Sequence, residues 1–160
     1  MEQKTAIGLA PADTGMLAEG LNDLLANYQV FYMNVRGFHW NIRGDKFFEL
    51  HAKFEELYDD ALNKIDEIAE RVLTLGHTPL HGYSDYLREA EIGEHAGVSD
   101  ATTAVTHVVE DFRVLLARER ELLKLSAEME DEGTNSLMSD YIREQEKLVW
   151  MYSAFLGGSR

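Results

Sequence analysis

Residues 39–71 read HWNIRGDKFFELHAKFEELYDDALNKIDEIAER, and this stretch decides the fold. After an Asn41–Gly44 turn it continues as one long helix to about Leu75. Phe47, Leu50, Phe54, Leu57, Ala61, Ile65, Ile68 and Val72 recur at helical spacing and would line a core. Another face carries His51, Glu55, Asp66 and Glu70. At about 100° per residue these fall at roughly 0°, 40°, 60° and 100° around the helix, so they share that face. They cannot meet at one metal ion within a single chain, because His51 and Asp66 lie on the order of 22 Å apart at a helical rise of ~1.5 Å per residue. Two copies packed antiparallel about a two-fold axis near residues 60 and 61 would remove the difficulty. His51 and Glu55 of one copy would then face Asp66 and Glu70 of the other, in two identical sites. His39, just before the turn, can fold back as a further nitrogen ligand. Imidazole and carboxylate donors without thiolate suit Fe(II), and suit Mn(II) or Zn(II) less selectively. The plainer reading of the same carboxylates is a solvated acidic helix face.

Working outward, residues 1–12 read as a short flexible tail and 13–157 as one helical domain. Asp13 or Thr14 is placed to cap a first helix with apolar residues at Leu17, Leu21, Leu24, Leu25, Tyr28, Phe31, Tyr32 and Val35, ending near Trp40. Gly76 and Pro79 stop the second helix. Residues 76–97 form the longest irregular piece, with His77, His81 and His95 in it and a short helix from a Ser84 cap through Ala90. Ser99 or Asp100 caps a third long helix that runs to about Glu132 and is broken by Gly133; Thr134 then caps the fourth. His107 lies on or beside the apolar stripe of the third helix and reads as a packed histidine. The expected class is all-α, a four-helix bundle running up-down-down-up or up-down-up-down.

Composition narrows the chemistry. A chain of 160 residues suits one domain with a real core, and 45% hydrophobic residues exclude a disordered chain. The absence of cysteine removes disulfides, thiolate metal sites and cysteine nucleophiles, and fits a cytoplasmic protein. No apolar run is long enough for a membrane span, and the first fifteen residues show no basic-then-apolar secretory pattern. With 29 acidic against 15 basic residues the formal charge is −14, which repels nucleic acid backbones and attracts cations. No phosphate-binding glycine loop, nucleophile elbow or His-Glu-x-x-His motif is present. The Glu-x-x-His pairs that hold an internal di-iron centre are missing too, so a site between subunits is favoured over one inside the bundle.

The run FHWNIRGDKFFELHAKFEELYDDALNKIDEIAERVLTLG resembles the Dps miniferritins (DNA-binding proteins from starved cells). The resemblance rests on His39-Trp40, His51 twelve residues after His39, and Asp66-x-x-Ile-Ala-Glu70-Arg71, and extends from about Met16 to Leu156. It implies a ferritin-like four-helix bundle with a short extra helix between helices two and three, at the two-fold interface. It further implies a ferroxidase that oxidises Fe(II) with hydrogen peroxide and keeps ferric mineral in a hollow dodecamer. In the family the two histidines and a carboxylate come from one subunit and the Asp and Glu from its two-fold partner. Carried over, the ligands are His39, His51 and Glu55 with Asp66 and Glu70. The family often has Asp where Glu55 stands; Glu reaches one methylene further and still suits a hard cation. Trp40 is implied as a nearby electron donor, with packing as its plainer role. The acidic cluster Glu128, Glu130, Asp131 and Glu132 lies where the family forms an iron-entry pore, with Asp131 the expected ligand and a frayed acidic helix end the alternative. Family members that bind DNA directly use lysine-rich tails. Here the ends offer Lys4 and Arg160, so direct DNA binding is expected to be weak. Rival functions are a non-catalytic shell protein and a DNA-compacting protein.

Overall fold

The computed structural model describes residues 3–158, so Arg160 lies outside the described residues. Five helices follow in order: α1 (Pro11–Asn41), α2 (Phe47–Thr74), the short α3 (Tyr83–Glu89), α4 (Ala101–Glu128) and α5 (Glu132–Phe155). α1 packs on α2 and α4 on α5, and α1 also meets α4 and α3. Contacts between α1 and α4 run in opposite order, Asn34 with Asp111 and Tyr28 with Glu119. The two are therefore antiparallel, and the long crossover through α3 gives the up-down-down-up arrangement. Core packing centres on Tyr28, Phe31, Phe38, Phe54 and Phe112, all almost fully buried. Among the described residues no helix is long and apolar enough to cross a membrane.

The helix ends differ from expectation in instructive ways. α1 begins at Pro11, whose missing N–H costs nothing in a first turn, and neither Asp13 nor Thr14 caps it. Ahead of it, Thr5 to Leu9 close a hydrogen-bonded turn. α3 starts after Gly82 with no side-chain cap, so Ser84 does not serve. Asp100 does cap α4, accepting from Thr103 N at 2.9 Å.

The third long helix stops earlier than Gly133. Glu130 takes the left-handed conformation (φ 59°), and Asp131 N donates to Ser126 O at 2.8 Å, which closes α4. Asp131, not Thr134, is the N-cap of α5 and accepts from Thr134 N at 3.1 Å. Gly133 sits in the first turn of α5, where a Cβ would fall 2.6 Å from the Arg71 guanidinium. That glycine lets Arg71 cross from α2 to reach Asp131 and Thr134 at 2.7 and 2.9 Å.

Candidate metal centre

The turn after α1 brings the end of that helix against the start of α2. Ile42 is buried and Arg43 N donates to Ser99 O, which holds the turn against the α4 entrance. His39 and His51 then stack face to face, ring centres 3.8 Å apart and planes 16° from parallel. Their polar contacts are reciprocal. His39 Nδ1 lies 2.7 Å from His51 O, and His51 Nδ1 lies 2.8 Å from His39 O. A carbonyl only accepts, so both Nδ1 atoms carry the proton. That tautomer leaves the Nε2 lone pair of each ring, rather than Nδ1, to face a metal. Phe47 stacks on His51 at 5.0 Å, and Tyr58 meets the His39 ring edge-on at 5.2 Å.

Glu55 is exposed one turn beyond His51, and Asp66 and Glu70 are exposed further along the same face of α2. Among the described residues no side-chain hydrogen bond or ion pair holds these three. Three other α2 carboxylates are engaged: Glu56 with Lys53, Asp60 with Lys64, and Glu67 with the Tyr141 hydroxyl. Partial burial and the neighbouring Glu55 carboxylate raise the Tyr58 phenol above its ordinary pKa. Leu62, half exposed, shares the Glu55–Asp66 face. No group of three or more potential ligands converges within the described residues of one chain. His39 and His51 are brought together, and Asp66 and Glu70 lie apart from them.

Trp40 is 59% exposed, and the Arg36 guanidinium lies 5.0 Å from its ring and 5.3 Å from that of Tyr58. Asp131 is placed otherwise than the pore reading requires. It is 3% exposed, caps α5 and pairs with Arg71 at 2.7 Å. Its neighbours Glu128, Glu130 and Glu132 are exposed.

Sequence reading missed a second imidazole pair. His95, on the crossover, stacks on His107 of α4 at 3.8 Å and 12°. His95 Nε2 lies 3.2 Å from Asp111 Oδ1, and Asn34 Nδ2 donates to Asp111 Oδ2 at 3.3 Å. Burial raises the Asp111 carboxyl, against the bonds from His95 and Asn34. Asn34 Oδ1 accepts from His95 N, and Asn27 Oδ1 accepts from Glu91 N and Ile92 N, so two α1 asparagines clamp the crossover backbone. The only signal in the sequence was spacing: His95 and His107 are twelve residues apart, as are His39 and His51. His81 is exposed with its Nδ1 2.9 Å from Pro79 O, and His77 Nε2 lies 3.4 Å from the Thr14 hydroxyl.

The family model described as a ferritin-like domain matches residues 18–160. A Dps protein from Vibrio cholerae O1, described as a member of a broad superfamily of ferritin-like diiron-carboxylate proteins, superposes with a TM-score of 0.95. It is 56% identical, over 98% of each chain. A Dps protein from Bacillus brevis superposes with a TM-score of 0.87 at 39% identity, over 91% of this chain and 97% of that one. The DNA protection during starvation protein of Porphyromonas gingivalis is 44% identical over 92% of this chain and 93% of its own length.

Proposed function

The chain belongs to the ferritin-like family and, within it, to the Dps miniferritins, and on that premise we propose that it is a ferroxidase that stores iron. The observation that carries this reading is the reciprocal lock of His39 and His51, which spends both Nδ1 protons on carbonyls and leaves both Nε2 atoms free, with the unengaged Glu55 one turn beyond His51 on α2. Asp66 and Glu70 of a partner subunit complete the site when two α2 helices pack antiparallel about a two-fold axis. The exposed Leu62, close to the midpoint of the helix, supplies apolar surface for that contact. Iron is the substrate. Two Fe(II) ions each give one electron to hydrogen peroxide; its O–O bond breaks, two protons are taken up, and two waters and two Fe(III) result. The carboxylates favour the higher charge of the product. Trp40, next to His39 and open to solvent, serves as an electron donor that limits radical escape.

The Fe(III) collects as mineral inside a hollow dodecamer in the cytoplasm, protecting the cell and its DNA from oxidative damage. Iron entry at the α4–α5 corner falls to the exposed Glu128, Glu130 and Glu132, since Asp131 is committed to Arg71. Protection does not need direct DNA binding, which the charge of −14 disfavours. Size-exclusion mass combined with iron retained after Fe(II) and peroxide are added tests the reading. A dodecamer holding many irons per chain is expected. A monomer, or a shell that leaves Fe(II) unoxidised, would give way to the non-catalytic alternative.

A further inference from the structure

Among the described residues Glu119 of α4 is the most deeply buried carboxylate, with no exposed surface. Asp131 and Asp111 are nearly as deep, and each has strong donors. Asp131 pairs with the Arg71 guanidinium, and Asp111 is bonded by His95 and Asn34. Glu119 has no such support. Its Oε2 accepts from the Tyr28 hydroxyl of α1 at a long 3.4 Å, and its Oε1 has no hydrogen-bond partner. Among the described residues no ion pair includes it.

The other titratable groups around it are committed elsewhere. Lys64 of α2 gives its ammonium to both oxygens of Asp60, at 2.8 and 2.7 Å, and to Glu144 of α5 at 2.8 Å. Arg120, the next residue of α4, bonds Glu146 at 3.0 Å. The Tyr141 hydroxyl of α5 donates to Glu67 of α2 at 2.6 Å, while its ring meets that of Tyr28 edge-on. Gln145 of α5 donates from Nε2 to the same Tyr28 hydroxyl that Glu119 accepts from, and its Oε1 is also buried without a partner. Two orphaned oxygens, one on α4 and one on α5, thus belong to side chains that meet at one hydroxyl.

A carboxylate enclosed without a bonded cation loses its hydration and gets nothing in return, so the neutral acid replaces it. The acid form also suits this cluster. A proton on Oε1 turns an acceptor that lacks a donor into a donor, and Gln145 offers an acceptor that lacks one. We propose that Glu119 is a neutral carboxylic acid in the folded chain, its proton held at the Tyr28–Gln145 cluster where α1, α4 and α5 meet, and that this proton ties the stability of the bundle to pH. The device stands apart from the iron chemistry. Burial pushes the Glu119 carboxyl from its ordinary 4.5 up to about 8, against the Tyr28 bond and the more distant charge of Lys64. Between those values the folded chain keeps a proton that the unfolded chain has released. The stabilisation is therefore complete below pH 4.5, is drawn down as pH rises, and is gone above about 8.

Infrared spectra of the assembled protein carrying carbon-13 glutamate test it, with circular dichroism as a check on folding. The wild type at neutral pH should show the carbonyl band of a protonated glutamic acid, which fades as pH passes about 8 and is absent from Glu119→Gln. Glu119→Gln keeps the shape of the neutral acid and cannot ionise. In denaturant unfolding at one protein concentration, the unfolding constant of the wild type relative to this variant should rise by about tenfold per pH unit and level off in alkaline solution. A wild-type spectrum without protonated glutamate at neutral pH, or a ratio of unfolding constants that does not change with pH, would overturn the proposal. Tyr28→Phe decides the matter even if Glu119→Gln does not fold. It deletes the one hydrogen bond that favours the ionised form, so the carbonyl band should persist to higher pH than in the wild type. Loss of the band at the same or a lower pH would count against the neutral acid.

Discussion

Two imidazole pairs in this molecule share a ring geometry and differ in everything that follows from it. Both stack at 3.8 Å, both join residues twelve apart, and both link the start of a long helix to the segment before it. In the His39–His51 pair each Nδ1 is spent on the partner's backbone carbonyl, so both Nε2 atoms stay free. In the His95–His107 pair the Nε2 of His95 is committed to Asp111, and Phe38 lies beside both rings at 6.4 and 6.2 Å. The first pair has its ligand atoms available; the second is a latch that helps Asn27 and Asn34 hold the crossover to α1. Which nitrogen is occupied, rather than how the rings pack, separates the proposed metal ligands from the structural histidines.

The largest effect should come from the first pair. His51→Ala combined with Glu55→Ala is expected to leave helix content and assembly unchanged, because Glu55 is exposed and His51 only partly buried. Peroxide-driven Fe(II) oxidation should fall by more than the roughly 10–100-fold that loss of an outer-shell partner costs a metal site. Refolding this variant together with Asp66→Ala/Glu70→Ala should restore activity, since one interface of each mixed dimer then combines both intact halves. Stopped-flow oxidation rates of the parents and the mixture decide it. Mixed shells no faster than either parent would place the site within one chain.

Breaking the second pair should act on stability and spare oxidation. Asp111→Ala removes the acceptor for His95 Nε2 and one of two acceptors for Asn34 Nδ2, which keeps Gly93 O at 2.9 Å. Leaving a buried donor unsatisfied costs ~1–3 kcal/mol, to be read from denaturant unfolding. Hydrogen exchange should rise first at the backbone amides of Glu91, Ile92 and His95. An Asp111→Ala protein with wild-type stability but slow Fe(II) oxidation would erase the distinction between the pairs.

The bundle was legible in the sequence because long amphipathic helices announce themselves through period. Every α2 core position read from spacing is buried apart from Phe47, which is only partly so. The topology, left open between two arrangements by period alone, needed the Asn34–Asp111 and Tyr28–Glu119 contacts. Helix ends were less legible, since the α4–α5 corner depends on an arginine sixty residues away. Arg71 makes Asp131 a cap and asks for glycine at 133, whereas local pattern put the break at the glycine itself. The His95–His107 stack was invisible for a related reason. His95 lies in irregular chain, where no periodicity predicts direction, and only the asparagine clamps on its backbone aim it at α4. Nothing in the local pattern marked Lys64, whose partners are shared between one turn of α2 and a distant turn of α5.

The smallest effect expected is also the sharpest test of the comparison. His107 Nδ1 is buried without a hydrogen bond; Glu110 Oε2 stands 3.5 Å away, within reach of charge attraction but outside hydrogen-bond geometry. The ring therefore contributes through its face against His95, with Phe38 beside the stack. His107→Phe keeps a flat aromatic side chain in the stack and deletes the orphaned nitrogen. An unsatisfied buried polar atom costs free energy, so replacing it with apolar surface of similar shape should change stability by less than about 1 kcal/mol, and in the favourable direction. His51→Phe, an equally conservative change of shape in the other pair, should abolish Fe(II) oxidation, because there the nitrogen is the point. Parallel denaturant melts and oxidation assays on the two variants make the contrast. A His107→Phe protein destabilised by several kcal/mol would mean that Nδ1 has a partner after all, and the second pair would have to be counted among sites held by their nitrogens.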